Sequence, residues 1–261
     1  MNRTMRLIAL NKAARPPKFV ANFDPDFDGD DDSSPAFDPD QDGEEATLFF
    51  YDVIGGWDQP TTEQIVRGVR ALKASTIHLR INSPGGIVVE STAIKTALEQ
   101  HPARVIAHVD GVAASAASTL MLAADEIEIA PGGFVMIHNA ETVAWGNKTT
   151  MAQAVDMLGK IDASIVSQYA ARTGLAPDAI AGMMDAETWM TAQEAVDMKF
   201  ADRIAQKSPQ ASNLRRFDLS AYDRTPAALL APPPPAEDPA LAALRQQQAQ
   251  NERRLRLLAI A

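Results

Sequence analysis

Apolar and polar positions along the middle of the chain fall into blocks whose period switches between strand-like and helical. Residues 47–53 are a short apolar run suited to a buried strand. Residues 61–73 place Ile65, Val66, Val69 and Leu72 at helical spacing, with Thr61 or Thr62 as N-cap ahead of Glu63. A second strand is predicted at 76–82. A helix at 88–100 carries Ile94, Ala97 and Leu98, and a third strand at 104–109 is ended by Asp110-Gly111. Residues 113–124 read as a helix of small, then apolar, residues. Residues 126–130 alternate as a short strand, and 134–138 form another. A long helix spans 149–173 and stops at Gly174, a residue suited to the left-handed position after a helix. A short helix at 191–198 and a last strand at 200–204 complete the pattern. Strands alternating with helices predict crossover β–α–β units.

The regular pattern is confined to residues 47–205, which are expected to form one folded α/β domain. Residues 1–46 are expected to be a flexible segment. Within them, Phe23-Asp24-Pro25-Asp26-Phe27-Asp28-Gly29 recurs as Phe37-Asp38-Pro39-Asp40-Gln41-Asp42-Gly43. Each copy contains D-x-D-x-D-G, the opening of a calcium loop, so Asp24, Asp26, Asp28, Asp38, Asp40 and Asp42 are weak calcium candidates. The closing Glu is missing, because the twelfth positions are Pro35 and Phe49. A disordered acidic linker is the plainer reading. Residues 206–236 lose periodicity and end in a run of prolines, the signature of a stiff linker. Residues 237–261 regain helical spacing at Leu241, Leu244, Leu255 and Leu258.

Composition sharpens this division. The formal charge is −10, yet 11 of the 34 acidic residues lie between Asp24 and Glu45, where there is no Lys or Arg. The remaining 23 acids meet 24 bases, so the rest of the chain is close to neutral in sum and a globally basic nucleic-acid binder is ruled out. The chain has no cysteine, which excludes disulfides, thiolate catalysis and zinc–thiolate sites. No apolar run approaches the roughly 20 residues that span a bilayer. The expected protein is therefore cytoplasmic and has no membrane partner.

Four groups of residues could carry chemistry. Ser115 lies in Ala113-Ala114-Ser115-Ala116-Ala117, at the predicted start of a helix. Unpaired N–H groups there suit a developing oxyanion, and the alanines leave room for a substrate backbone. The alternative is a helix packed through small residues, with Ser115 and Ser118 as fillers. Asn82-Ser83-Pro84-Gly85-Gly86 joins a strand to a helix, and its glycines free the backbone to present N–H groups. Of the four histidines, His78 and His108 lie within strands and read as structural, and His101 reads as exposed. His138 ends the apolar run 134–137, where α/β folds place their sites. A third group should orient it, and Asp185 and Glu187 are the candidates.

In order along the chain, these motifs resemble the ClpP-type serine peptidases, and more closely their phage relatives, the head maturation proteases. The stretches are 81–86, 110–118, 136–139 and 187–195. The resemblance implies a crotonase-like β–α superhelix. It implies Ser115 as nucleophile, His138 as general base and Glu187 as third triad member, with Asp185 as alternative acid. Gly86, Gly85 and the Ala116 amide would form the oxyanion hole. The family's usual acid is Asp, so Glu187 is a departure. No cofactor and no catalytic metal are implied. The implied partners are copies of the chain in stacked rings, joined through the long helix, and protein substrates such as phage scaffold or coat. The implied location is host cytoplasm or the assembling prohead. Residues 1–46 are unlike the family's axial loops, which leaves dependence on an unfoldase open. Two other classes remain at this stage. One is an acyl-CoA enzyme of the same superfamily, using paired oxyanion amides without a serine. The other is a catalytically idle scaffold component.

Overall fold

A computed structural model describes residues 44–55, 60–206 and 217–230. The acidic repeat with its calcium candidates, the proline run and the C-terminal helix expected at 237–261 lie outside the described residues.

Five parallel strands form the main sheet in the order β1 (Glu45–Phe50), β2 (Thr76–Ser83), β3 (Arg104–Ala114), β4 (Glu126–Ile129) and β7 (Arg203–Ile204). The crossovers are helices. α1 (Thr62–Ala71) joins β1 to β2, and α2 (Val88–Glu99) joins β2 to β3. α1 begins where expected because Thr61 and Gln64 form a reciprocal capping box. Strand alternation aims Leu48, Ile77, Leu79, Val105, Ala107 and Ile127 at one face, where α1 contributes Val69 and α2 contributes Ile94 and Leu98. Each fully buried Leu or Ile contributes about 1.5–3 kcal/mol to this core.

The other face of the sheet stays polar and is laced across strands. His78 and His108 ring nitrogens approach to 2.9 Å, and His108 Nδ1 lies 2.8 Å from Glu128. Arg104 reaches Glu126, and Arg203 pairs with Glu126 and Glu128. Both strand histidines thus have cross-strand partners. His101 departs from expectation: it is half-buried, its Nε2 lies 3.0 Å from Leu72 O, and its Nδ1 accepts the Ala103 N–H.

The largest departure from the sequence pattern is the course of β3. Asp110-Gly111 was expected to end this strand, yet it continues to Ala114. Two local partners sustain it. Asn82 Oδ1 accepts the Val112 N–H at 3.2 Å where the β2–β3 register shifts, and β5 (Phe134–Ile137) pairs with Val112–Ala114. β6 (Thr188–Thr191), unforeseen in the pattern, pairs antiparallel with β5. The helix expected at 113–124 shrinks to α3 (Ala116–Leu120) followed by a single 3₁₀ turn. α4 (Lys148–Thr173) is capped by Asn147 and ends at Gly174 in the left-handed conformation. α5 (Pro177–Asp185), β6 and α6 (Ala192–Asp197) follow, α6 opening with a Thr191/Glu194 capping box.

The stretch from 217 to 230, inside the expected linker, is packed against the domain. Phe217, Leu219, Ala221, Tyr222 and Leu229 are buried against Val112, Ala114 and Met136. It closes with α7 (Ala227–Leu230). The architecture is a mixed α/β β–α superhelix dominated by a parallel sheet. Among the described residues, no helix is long and apolar enough to cross a membrane.

Candidate active site

The extension of β3 decides where Ser115 stands. It occupies the strand-to-helix junction rather than the interior of a helical turn, with φ 54° and ψ −122°. A non-glycine residue with positive φ is strained by about 1–3 kcal/mol and persists only where its surroundings enforce it. The enforcement is visible. Ser115 N–H donates to Met136 O at 2.9 Å, and the Ser118 and Thr119 amides donate to Ser115 O. Ser118, fully buried, donates to Ser115 O or Met136 O and meets Tyr169 Oη at 2.7 Å. Burial pushes the Tyr169 phenol well up, so it remains a neutral partner. The two serines therefore divide the work: Ser118 ties the turn to β5 and α4, and Ser115 is the half-buried one facing the site.

His138 follows the last residue of β5. Its Nε2 lies 2.7 Å from Ser115 Oγ. In the tautomer protonated at Nδ1, Nε2 accepts the serine proton, the geometry of an activated hydroxyl. The pairing of β5 with the end of β3 holds this distance, since Ala114 and Met136 are registered partners.

The Ser83–Gly86 loop lies alongside. Gly85 and Gly86 have φ 96° and 155°. A Cβ on Gly85 would come within 2.6 Å of Ala114 O and 2.7 Å of Ser115 Cβ, and one on Gly86 would collide with the Ile54 backbone. Both glycines therefore permit close approach, Gly85 to the Ser115 turn and Gly86 to the Ile54 backbone. The Gly85 N–H donates to Ser83 Oγ at 3.1 Å. Upstream, Asp110 is held at the bend by Arg80 and by the Tyr51 hydroxyl at 2.6 Å. Burial pushes the Asp110 carboxyl up despite these partners, and burial together with Asp110 raises Tyr51 to about 12.

The two acid candidates are placed differently. Glu187 is 7 % exposed and has φ 47°, so it shares the strained backbone region with Ser115. Its Oε1 accepts the Arg224 N–H at 2.7 Å and the Trp189 indole N–H at 3.3 Å, and its Oε2 accepts the Asp223 N–H at 3.1 Å. Asp185 is exposed at the end of α5 and accepts Asn139 Nδ2 at 2.7 Å. It lines a cleft of about 470 Å³ between α4 and α5, together with Asp162 and Asp178. Burial raises the Asp162 carboxyl, its Ala140 N–H partner opposes this, and the Asp185 charge adds a smaller upward push. Among the described residues, no group of three or more His, Asp or Glu is placed to hold a metal ion.

Four participants were not anticipated. Tyr222 donates to Pro84 O at 2.5 Å and sets its ring edge-to-face against His138, with centroids 5.4 Å apart. Trp189, Asp223 and Arg224 surround Glu187. Asp223 and Arg224 act through backbone amides, which carry no residue-type signal.

With this geometry in view, the likeness to known proteins is informative. Residues 45–208 match the model of the Clp protease family. The chain is 31% identical over 137 residues to the ATP-dependent Clp protease proteolytic subunit 1 of Leifsonia xyli subsp. xyli, covering 51% of this chain and 68% of the relative. It is 32% identical over 166 residues to the subunit of the same description from Protochlamydia amoebophila, covering 60% of this chain and 79% of the relative. It is also 32% identical over 127 residues to the ATP-dependent Clp protease proteolytic subunit of Pleurastrum terricola, covering 48% of this chain and 65% of the relative.

Proposed function

The chain belongs to the Clp protease family of serine peptidases, and within that frame we propose that Ser115, His138 and Glu187 are its catalytic triad. The observation that carries the proposal is the 2.7 Å approach of His138 Nε2 to a Ser115 hydroxyl held on a strained strand-to-helix turn. Ser115 Oγ attacks the scissile carbonyl while His138 Nε2 takes its proton. The imidazolium then gives that proton to the leaving amine, and water repeats the cycle on the acyl-enzyme. Glu187 holds the imidazole and stabilises its charge. It is preferred over Asp185 because it is buried and fixed by three donors, whereas Asp185 is exposed and engaged by Asn139.

The oxyanion donors are assigned to the Gly86 and Ala116 amides. Gly85, whose N–H is used within its own loop, serves the close approach instead. α3 has only five residues, so local amides at the turn carry this role rather than a long helix dipole.

Hydrolysis of fluorescein-casein by wild type, Ser115→Ala and His138→Ala tests the triad. Each variant should lose about 10⁶-fold in turnover. Near wild-type hydrolysis by either would end the assignment.

The substrate is proposed to be scaffold or coat protein of an assembling phage head, on the resemblance of the four motifs to head maturation proteases. The working form is proposed to be rings of this chain, stacked through α4, whose first half exposes Met151, Val155 and Met157.

A further inference from the structure

The family match ends at residue 208, yet two of the three donors that grip Glu187 lie beyond it. The segment from 217 to 230 is anchored by Phe217, Leu219 and Leu229 in the apolar patch on Val112, Ala114 and Met136. Between these anchors it makes a tight turn. Ser220 N–H donates to Asp218 Oδ1, Tyr222 N–H to Leu219 O, and Thr225 Oγ1 to Leu219 O. That turn aims three groups at the active site. Tyr222 reaches Pro84 O and stands against the rings of His138 and Trp189. The consecutive amides of Asp223 and Arg224 each take one oxygen of the Glu187 carboxylate.

We propose that residues 217–230 are a positioning clamp for the triad, with the Asp223 and Arg224 amides fixing the Glu187 carboxylate and Tyr222 bracing His138 against the Ser83–Gly86 loop. The proposal rests on the triad reading above and adds to Trp189 two donors from outside the shared family segment. Glu has several rotatable side-chain bonds, and the entropy lost on ordering them opposes its alignment. Two amides in fixed geometry remove that freedom in advance, as a bidentate site does. An imidazole displaced by about 1 Å loses on the order of 10²-fold in rate. Tyr222 and the two amides act on the reaction only through His138, Glu187 and the Ser83–Gly86 loop, so they are positioning groups.

The test compares Arg224→Pro, which deletes the N–H, with Arg224→Ala, which keeps it. Both are made in the full chain and read by the rate of Ser115 labelling with a fluorophosphonate and by casein kcat and KM. The clamp predicts that Arg224→Pro is slower than Arg224→Ala by about 10²-fold in kcat with KM little changed. It also predicts that Arg224→Pro adds no further loss in a Glu187→Ala background, because the amide works through that carboxylate. Equal rates for the two Arg224 variants, faster labelling by Arg224→Pro, or a full additional loss in the Glu187→Ala background would overturn it. If Arg224→Pro does not fold, Tyr222 decides: Tyr222→Ala must lower kcat with KM little changed, and Tyr222→Phe, which keeps the ring but not the bond to Pro84 O, must fall between it and wild type; a wild-type kcat in Tyr222→Ala, or a loss confined to KM, overturns the clamp. Failure of the underlying reading has a different signature. Glu187→Ala would then label at the wild-type rate, whatever the Arg224 variants do.

Discussion

At the scale of single residues, the site is built from backbone strain placed where chemistry is proposed. Ser115 and Glu187 are two of the three non-glycine residues with positive φ among those described. Each sits at the exit of one element and the entrance of the next. The cost is measurable at Ser115. Ser115→Gly relieves the strain of about 1–3 kcal/mol, less the roughly 0.4–1 kcal/mol by which glycine favours the unfolded chain. Ser115→Gly should therefore unfold at a higher temperature than Ser115→Ala, by about 1 kcal/mol in stability, and calorimetry on the two inactive proteins reads it directly. An identical midpoint would mean that the turn is unstrained. Much of this scale was legible beforehand. Ser115 announces itself by residue type at a predicted helix start, and His138 and the glycine pair at the ends of predicted strands. Ser118 was hidden because its role lies in where its hydroxyl points, and Asp223 and Arg224 because amides look alike in every residue.

At the scale of elements, the period of apolar positions located the main strands and the long helices to within a few residues. It failed where side chains and a late strand replace the ladder. Asp110-Gly111 has the composition of a strand end, but Asn82 and β5 supply the missing partners and carry β3 on to Ala114. β6 was invisible because four residues of mixed character take their conformation from pairing with β5. The polar face of the sheet makes its own prediction. Burial, reinforced by the nearby His108 ring and Arg80, holds His78 below its ordinary value of 6.5, while Glu45 pulls the other way. A depressed folded pKa means that folding favours the neutral ring. The resulting stability is present above about pH 6.5 and is lost as the pH falls through the folded value. Thermal midpoints should thus decline between pH 7 and pH 5, and His78→Gln should decline less steeply. Parallel curves for the two proteins would remove His78 from the acid response.

At the scale of the whole molecule, 11 of the 34 acidic residues stand between Asp24 and Glu45, and residues 46–205 carry 18 acids against 11 bases, so the folded domain is itself acidic. α4 spans about 39 Å and is buried mainly near its end, at Ile165, Tyr169 and Thr173. Its first half and the loop before it expose Val143, Trp145, Met151, Val155 and Met157, with Trp145 93 % exposed. Apolar exposure of this kind marks a candidate contact surface. If rings stack through it, Val155→Asp combined with Met157→Asp should halve the particle mass by light scattering and leave single rings, whereas an unchanged mass would place the contact elsewhere. The central claim, that Ser115 is the nucleophile, is tested most directly by mapping a fluorophosphonate adduct in the full-length protein by peptide mass spectrometry. The account predicts one adduct, on the peptide that contains Ser115, and none in Ser115→Ala. An adduct on Ser118 or at any other site, or undiminished labelling of Ser115→Ala, would contradict it.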